Sequence, residues 1–131
     1  MTWTLTDREF ASVLTLPAPD RYEYLVKHAA DEGRLWSLKG NDGWALGADA
    51  GGRELHPVWP HARYAQAAAS GAWAGTRPKS IDIHEWLDRW TTGMIAARRR
   101  VAVFPADDAD EAAIDPEDFA NDLREELEGI G

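Results

Sequence analysis

The sequence predicts an α+β fold, a small antiparallel or mixed sheet packed with helices, from three observations. Apolar residues recur three and four apart before Gly33 and again beyond Asp82, as on one face of a helix. Between Arg34 and Trp59 the spacing falls to two and turn clusters interrupt it. Val101 to Phe104 is apolar at every position, the pattern of a buried central strand. Elements then follow the order ααβββααβα, and hairpin-linked neighbours argue against a doubly wound parallel sheet.

Thr6-Asp7-Arg8-Glu9 fits a capping box, with the threonine oxygen accepting the Glu9 N–H and Glu9 reaching back. A short first helix follows and ends at Pro17. Pro19 suits the first turn of a second helix, Ala18 to about Asp31, whose Tyr22, Leu25, Val26 and Ala29 share a face, with Gly33 as its C′ residue. "RLWSLK" alternates with Trp36 and Leu38 on one side. "WALGA" places Trp44, Leu46 and Ala48 on one side. "ELHPVW" sends Leu55, Pro57 and Trp59 one way and His56 and Val58 the other. These three form an antiparallel meander, in which Pro57, lacking an N–H, must sit at an edge or a strand end.

Pro60 suits the first position of an alanine-rich helix ended by Gly71, and "GAWAGTRPKS" reads as a connection anchored by Trp73. Asp82, with Glu85 three residues on, starts a helix that lines up Ile83, Trp86, Leu87, Trp90 and Met94. Gly93 costs that helix about 1 kcal/mol against alanine and marks a kink or close contact. Arg98-Arg99-Arg100 complements the helix C-terminus. After the strand Val101 to Phe104, ended by Pro105, comes an acidic loop at about 106–114. Asp115-Pro116-Glu117-Asp118 then opens an acidic C-terminal helix at about 116–129, with Phe119, Leu123, Leu127 and Ile130 as its apolar seam.

A chain of 131 residues with 44% hydrophobic content is expected to be one domain over 1–131. The absence of cysteine removes disulfides and thiolate chemistry and suits a reducing compartment, and neither a signal peptide nor a membrane span is read. Cytoplasmic location is the expectation. The net charge of −9 is uneven: residues 107–131 carry 11 acidic and 1 basic side chains, whereas 61–106 carry 3 and 7.

The four histidines show no metal-binding spacing, no serine lies in a nucleophile-elbow context, and "GNDG" and "AGGR" lack the pattern of a phosphate loop. No metal, no cofactor and no catalytic residue are therefore expected, and an enzyme is disfavoured. Two clusters are candidates for binding. His61 with Trp59, Tyr64 and Trp44 could line a cleft beside a helix start. Arg21 lies beside Tyr22 and Tyr24, with Arg21 and Glu23 expected solvated or paired and Tyr22 in the core. Trp36, Trp44, Trp59, Trp86 and Trp90 are expected on core faces. The C-terminal helix turns Glu117, Asp118, Asp122, Glu125, Glu126 and Glu128 outward beside Asp107, Asp108, Asp110 and Glu111, and Glu125, Glu126 and Glu128 are candidates for docking a basic protein partner.

"RYEYLVKHAAD", "LWSL", "GWAL", "PVWPHARYA" and "VAVFP" carry a resemblance. Together they resemble a small uncharacterised bacterial family, the domain of unknown function numbered 2750, across essentially the whole chain. The resemblance implies a fold and no activity. In element order alone the chain is also similar to the serine-sensitivity-enhancing (SseB-like) family and to small immunity-protein domains. The leading expectation is a non-catalytic binding module acting through macromolecular contact, of an immunity-type or regulatory kind, with a protein partner rather than a membrane or nucleic acid. The alternative is a small-molecule-binding domain or minor enzyme with its pocket near Trp44, Trp59 and His61.

Overall fold

The computed structural model describes residues 3–106 and 112–130, and its first element is the capped helix α1 (Asp7–Leu14). Thr6 accepts the Glu9 N–H at 3.1 Å as expected. Glu9 does not close the box: its carboxylate accepts the Tyr24 hydroxyl at 2.7 Å, which draws α1 onto α2 (Ala18–Glu32). That helix has Pro19 in its first turn and ends at Gly33, whose φ of 73° is the left-handed value a C′ glycine supplies. Its inner face is Leu25, Val26, Ala29 and Ala30.

The fold is α+β, and its strands form two small sheets rather than one. Strand β1 (Arg34–Gly40) pairs antiparallel with β2 (Gly43–Trp44), and β3 (Gly47–Ala48) pairs antiparallel with β4 (Glu54–Val58). Both expected hairpins are therefore present, but they do not continue into one meander. On its other side β1 takes β5 (Arg77–Asp82), and β4 takes β6 (Arg100–Val103) in parallel, with β7 (Ala113–Ile114) outermost. The "TRPKS" stretch, expected to be a connection, is thus mostly strand. Its pattern hid this, because only Ile81 of β5 is buried.

One backbone pair joins the sheets. The Trp36 N–H donates to the Trp59 carbonyl at 2.9 Å and the Trp59 N–H to the Trp36 carbonyl at 2.7 Å. Pro57 fits beside this bridge because β3 pairs only with Glu54 and Leu55 and has ended there. The Val58 carbonyl turns to β6, where it accepts the Phe104 N–H at 2.8 Å, so the Pro57 nitrogen faces the other way. The Pro57 carbonyl accepts the Ser37 hydroxyl at 2.7 Å. Neither β1 nor β4 shows the expected one-sided alternation. Leu35, Ser37 and Leu38 are all buried, as are Leu55, His56, Pro57 and Val58, because helices and the second sheet cover both faces.

Helix α3 (Ala62–Ala67) begins later than expected: His61, with extended φ of −147°, is the N-cap, and Pro60 precedes it. It also ends earlier, before a 3-10 turn at Gly71–Trp73. The Asp82 carboxylate accepts the His84 and Glu85 N–H groups at 3.0 and 3.1 Å and opens α4 (Ile83–Glu85). A π-helical turn, Trp86–Trp90, leads into α5 (Thr91–Ala96). The irregularity expected at Gly93 thus falls one turn earlier, where the Thr91 N–H and hydroxyl both donate to the Trp86 carbonyl.

The arginine run fastens separate elements. Arg98 adopts φ of 57° beyond the end of α5, and its carbonyl accepts the Arg53 Nε–H at 2.6 Å. Arg99 pairs with Glu54 at 3.2 Å, and Arg100 with Asp115 at 3.0 Å, at the start of α6 (Pro116–Ile130). Helix α6 packs Phe119, Ala120 and Leu123 into the core and half-buries Leu127; the side chain of Ile130 and residues 107–111 lie outside the described residues. Phe104, fully buried at φ of 55°, gives its carbonyl to Arg21 Nε at 3.1 Å, while Arg21 Nη1 donates to the Leu16 carbonyl at 2.6 Å. Arg21 is therefore buried beneath the chain reversal after β6, not solvated on its helix.

Two consequences are measurable by chemical denaturation. Trp59 is 1% exposed and its indole N–H donates to the Pro105 carbonyl at 3.2 Å, so Trp59→Ala is expected to cost about 3–5 kcal/mol. A variant as stable as the parent would contradict that placement. Arg98→Gly is expected to raise stability by about 0.5–1 kcal/mol, because glycine adopts the left-handed conformation without a Cβ penalty. A loss of stability would mean that the Arg98 side chain outweighs its backbone strain.

Candidate functional site

Tyr22, Glu23, Val26 and Lys27 follow one side of α2, and Asp122, Glu125 and Glu126 follow the facing side of α6. Between them runs a groove of about 810 Å³ whose floor includes Val26, Val103, Ala112 and Ile114. The Tyr22 hydroxyl donates to Asp122 across it. Burial first, then the hydrogen bond and the charges of Asp122 and Asp118, push the Tyr22 hydroxyl well above its ordinary pKa, so it stays a donor. Asp122 is therefore half-buried in the groove rather than turned outward, and Tyr22 sits at the same seam rather than in the core. Among the described residues four carboxylates, Glu23, Asp122, Glu125 and Glu126, face one ammonium, Lys27. Glu125 and Glu126 are among the expected docking residues, while Glu128 is exposed on the same helix and is not among the groove's lining residues.

A second cleft, of about 370 Å³, lies where β2, β4 and α5 meet, and is lined by Asp42, Trp44, Leu46, His56, Trp90, Gly93, Met94 and Arg99. The Trp44 and Trp90 rings stand nearly perpendicular, 4.9 Å between centroids. His56, 2% exposed, has Nε2 3.2 Å from Ser37 Oγ. Because the single Ser37 hydroxyl proton goes to the Pro57 carbonyl, Ser37 Oγ accepts at this contact, and His56 carries its proton on Nε2. Burial, with a smaller push from Arg99, lowers the His56 pKa to about 4, so the ring is neutral at pH 7.

The expected pocket of Trp44, Trp59, His61 and Tyr64 is not assembled. Trp59 and Tyr64 are each 1% exposed and belong to the core, where Tyr64 packs on Phe10 and Phe104. His61 caps α3 by accepting the Arg63 N–H on Nδ1 at 3.0 Å. Half-buried Trp3 meets His61 edge-on at 5.0 Å and stacks on His28 at 4.0 Å. Only Trp44 opens to a cleft, and its partners are His56 and Trp90. The sequence did contain a signal for His56: a lone polar residue inside the apolar run "LHPVW" is a buried group in need of a partner.

Among the described residues no helix is long and apolar enough to cross a membrane, and no group of three or more His, Asp or Glu side chains is arranged to hold a metal ion. An α+β domain with an acidic groove and an aromatic cleft is the class these features define. The family model described as a protein of unknown function, DUF2750, matches residues 22–123, which span α2 into α6, and the chain belongs to that family. No curated protein and no solved structure matches the chain.

The buried imidazole gives a pH dependence of known sign. The folded His56 pKa of about 4 lies below the ordinary 6.5, so between those values the unfolded chain binds the extra proton. His56 thus contributes stability that is fully present above about pH 6.5 and is lost as pH falls toward 4, by about 3 kcal/mol in all. Urea unfolding of the parent and of His56→Gln across this window should show a shallower loss in the variant. Equal pH slopes would mean that His56 titrates freely in the folded protein.

Proposed function

We propose that the protein is a non-catalytic binding module whose docking site is the groove between α2 and α6, and whose occupant is a basic segment of a protein partner. The observation that carries this is the apolar floor beneath a rim that, among the described residues, holds four carboxylates and one lysine. Lys or Arg side chains of a partner would meet Glu23, Asp122, Glu125 and Glu126, while an apolar anchor between them seats on Val26 and Ile114. Because Tyr22 ties Asp122 in place across the helices, part of this rim is fixed before binding. Glu128 adds to the field rather than to the contact. Neutralising a basic effector, as an immunity-type protein would, or regulating a basic partner are the roles such a surface suits.

Selection from a random peptide display library tests this without knowledge of the partner. Recovered peptides should combine basic residues with an apolar anchor and bind a Glu125→Gln, Glu126→Gln double variant about tenfold more weakly. Their association should slow as salt rises, because the Debye length falls from about 10 Å at 0.1 M to about 3 Å at 1 M. Peptides of no particular charge, or basic peptides that bind parent and double variant alike, would contradict the proposal.

A further inference from the structure

We propose that the cleft around His56 is a second, independent site that takes a small planar heteroaromatic molecule, stacked against the Trp44–Trp90 corner and donating a ring N–H to His56 Nδ1. Among the described residues the site shares no lining residue with the groove between α2 and α6.

The acceptor is the first support. His56 uses Nε2 on Ser37, and Nδ1 makes no hydrogen bond among the described residues. The one fully enclosed polar side-chain atom without a partner among them is Trp86 Nε1, so His56 Nδ1 is not sealed in the core; it opens to the cleft that the ring lines. A residue 2% exposed thus presents one unsatisfied lone pair to a cavity. Its neutral state makes that nitrogen an acceptor, which calls for a donor on the ligand.

The walls specify the rest. The ring centroids of Trp44 and Trp90 lie 6.0 and 4.9 Å from that of His56, and Leu46 and Met94 close the apolar surface. The Trp44 and Trp90 rings meet at 84°, Trp90 is backed by Trp86 stacked at 5.4 Å, and the parts of the two indoles that line the cleft give a flat ring an aromatic wall to pack on. A cation is the wrong guest: the Lys39 ammonium already lies 5.1 Å from the centroid of the Trp44 ring, and Arg99 lines the same cleft. At about 370 Å³ the space is at the small end of the range of about 300–1,000 Å³ for small-molecule sites, which suits one fused bicyclic ring.

Gly93 supplies the decisive variant. It lines the cleft from α5, and a Cβ built there meets nothing within 4 Å, so a leucine is accommodated at the cleft wall, where Gly93→Leu is designed to narrow the cleft, and it replaces a poor helix former. Indole and 1-methylindole are the probes, titrated into the full chain to about 1 mM while the indole N–H resonances of Trp44 and Trp90 are followed by NMR. The proposal expects saturable shifts at those two resonances, binding of indole about tenfold tighter than 1-methylindole, and loss of both probes in Gly93→Leu. In His56→Phe, which keeps a ring and removes the acceptor, the preference for the N–H should vanish. Absence of saturable shifts, equal affinity for the two probes in the parent, or unchanged binding in Gly93→Leu would each overturn it.

Discussion

Two backbone hydrogen bonds between Trp36 and Trp59, at 2.9 and 2.7 Å, join the two sheets, and the position of the aromatic cleft follows from them. They bring β1 against the end of β4, which sets Ser37 beside His56 and Pro57. The Pro57 carbonyl, where the ladder of β3 has ended, is satisfied there by the Ser37 hydroxyl. With its far edge on β6, β4 is then enclosed on both faces, and neighbouring residues are sent to opposite surroundings. Trp59 enters the core and reaches the Pro105 carbonyl, while His56 enters the aromatic cleft with Trp44 and Trp90.

Charge is used differently at the two ends of the chain. The arginines after α5 are spent on holding elements together: Arg99 ties the helix end to β4 and Arg100 ties β6 to the start of α6. Exposed pairs of this kind contribute little stability each, and their effect is on position. Arg21 does similar work in the interior, holding the carbonyls of Leu16 and Phe104 where the backbone reverses through a left-handed phenylalanine. On α6 the balance is opposite, since its carboxylates gather beside α2, with Lys27 as the one cation lining the groove among the described residues.

The features legible in the sequence are those decided by a few neighbouring residues. Thr6, Asp82 and Gly33 mark helix ends correctly because a cap is satisfied within four residues, and Pro116 because its fixed φ and missing N–H suit the first helical position. Strands β5 and β7 were not legible, since a polar edge strand such as Lys79-Ser80 has no periodic signature and exists only through its partner. The π turn at Trp86–Trp90 depends on Thr91 bonding five residues back, which apolar spacing does not report. For the candidate sites, Glu125, Glu126 and Trp44 were legible as polar or aromatic residues on identifiable faces. His61 is conspicuous in the sequence beside a helix start, whereas His56 lies in a strand covered on both sides, where alternation does not report surroundings.

The bridge between the sheets is the claim on which the rest stands, and native-state hydrogen exchange of the Trp36 and Trp59 amides tests it most directly. If these two N–H groups are the buried link described, both exchange only when the whole molecule unfolds, and their opening free energies equal the global unfolding free energy from denaturation. Exchange of either amide through a local opening well below that value would show that the sheets are not held together at this point. The placement of Ser37, His56 and Trp59 would then lose its foundation.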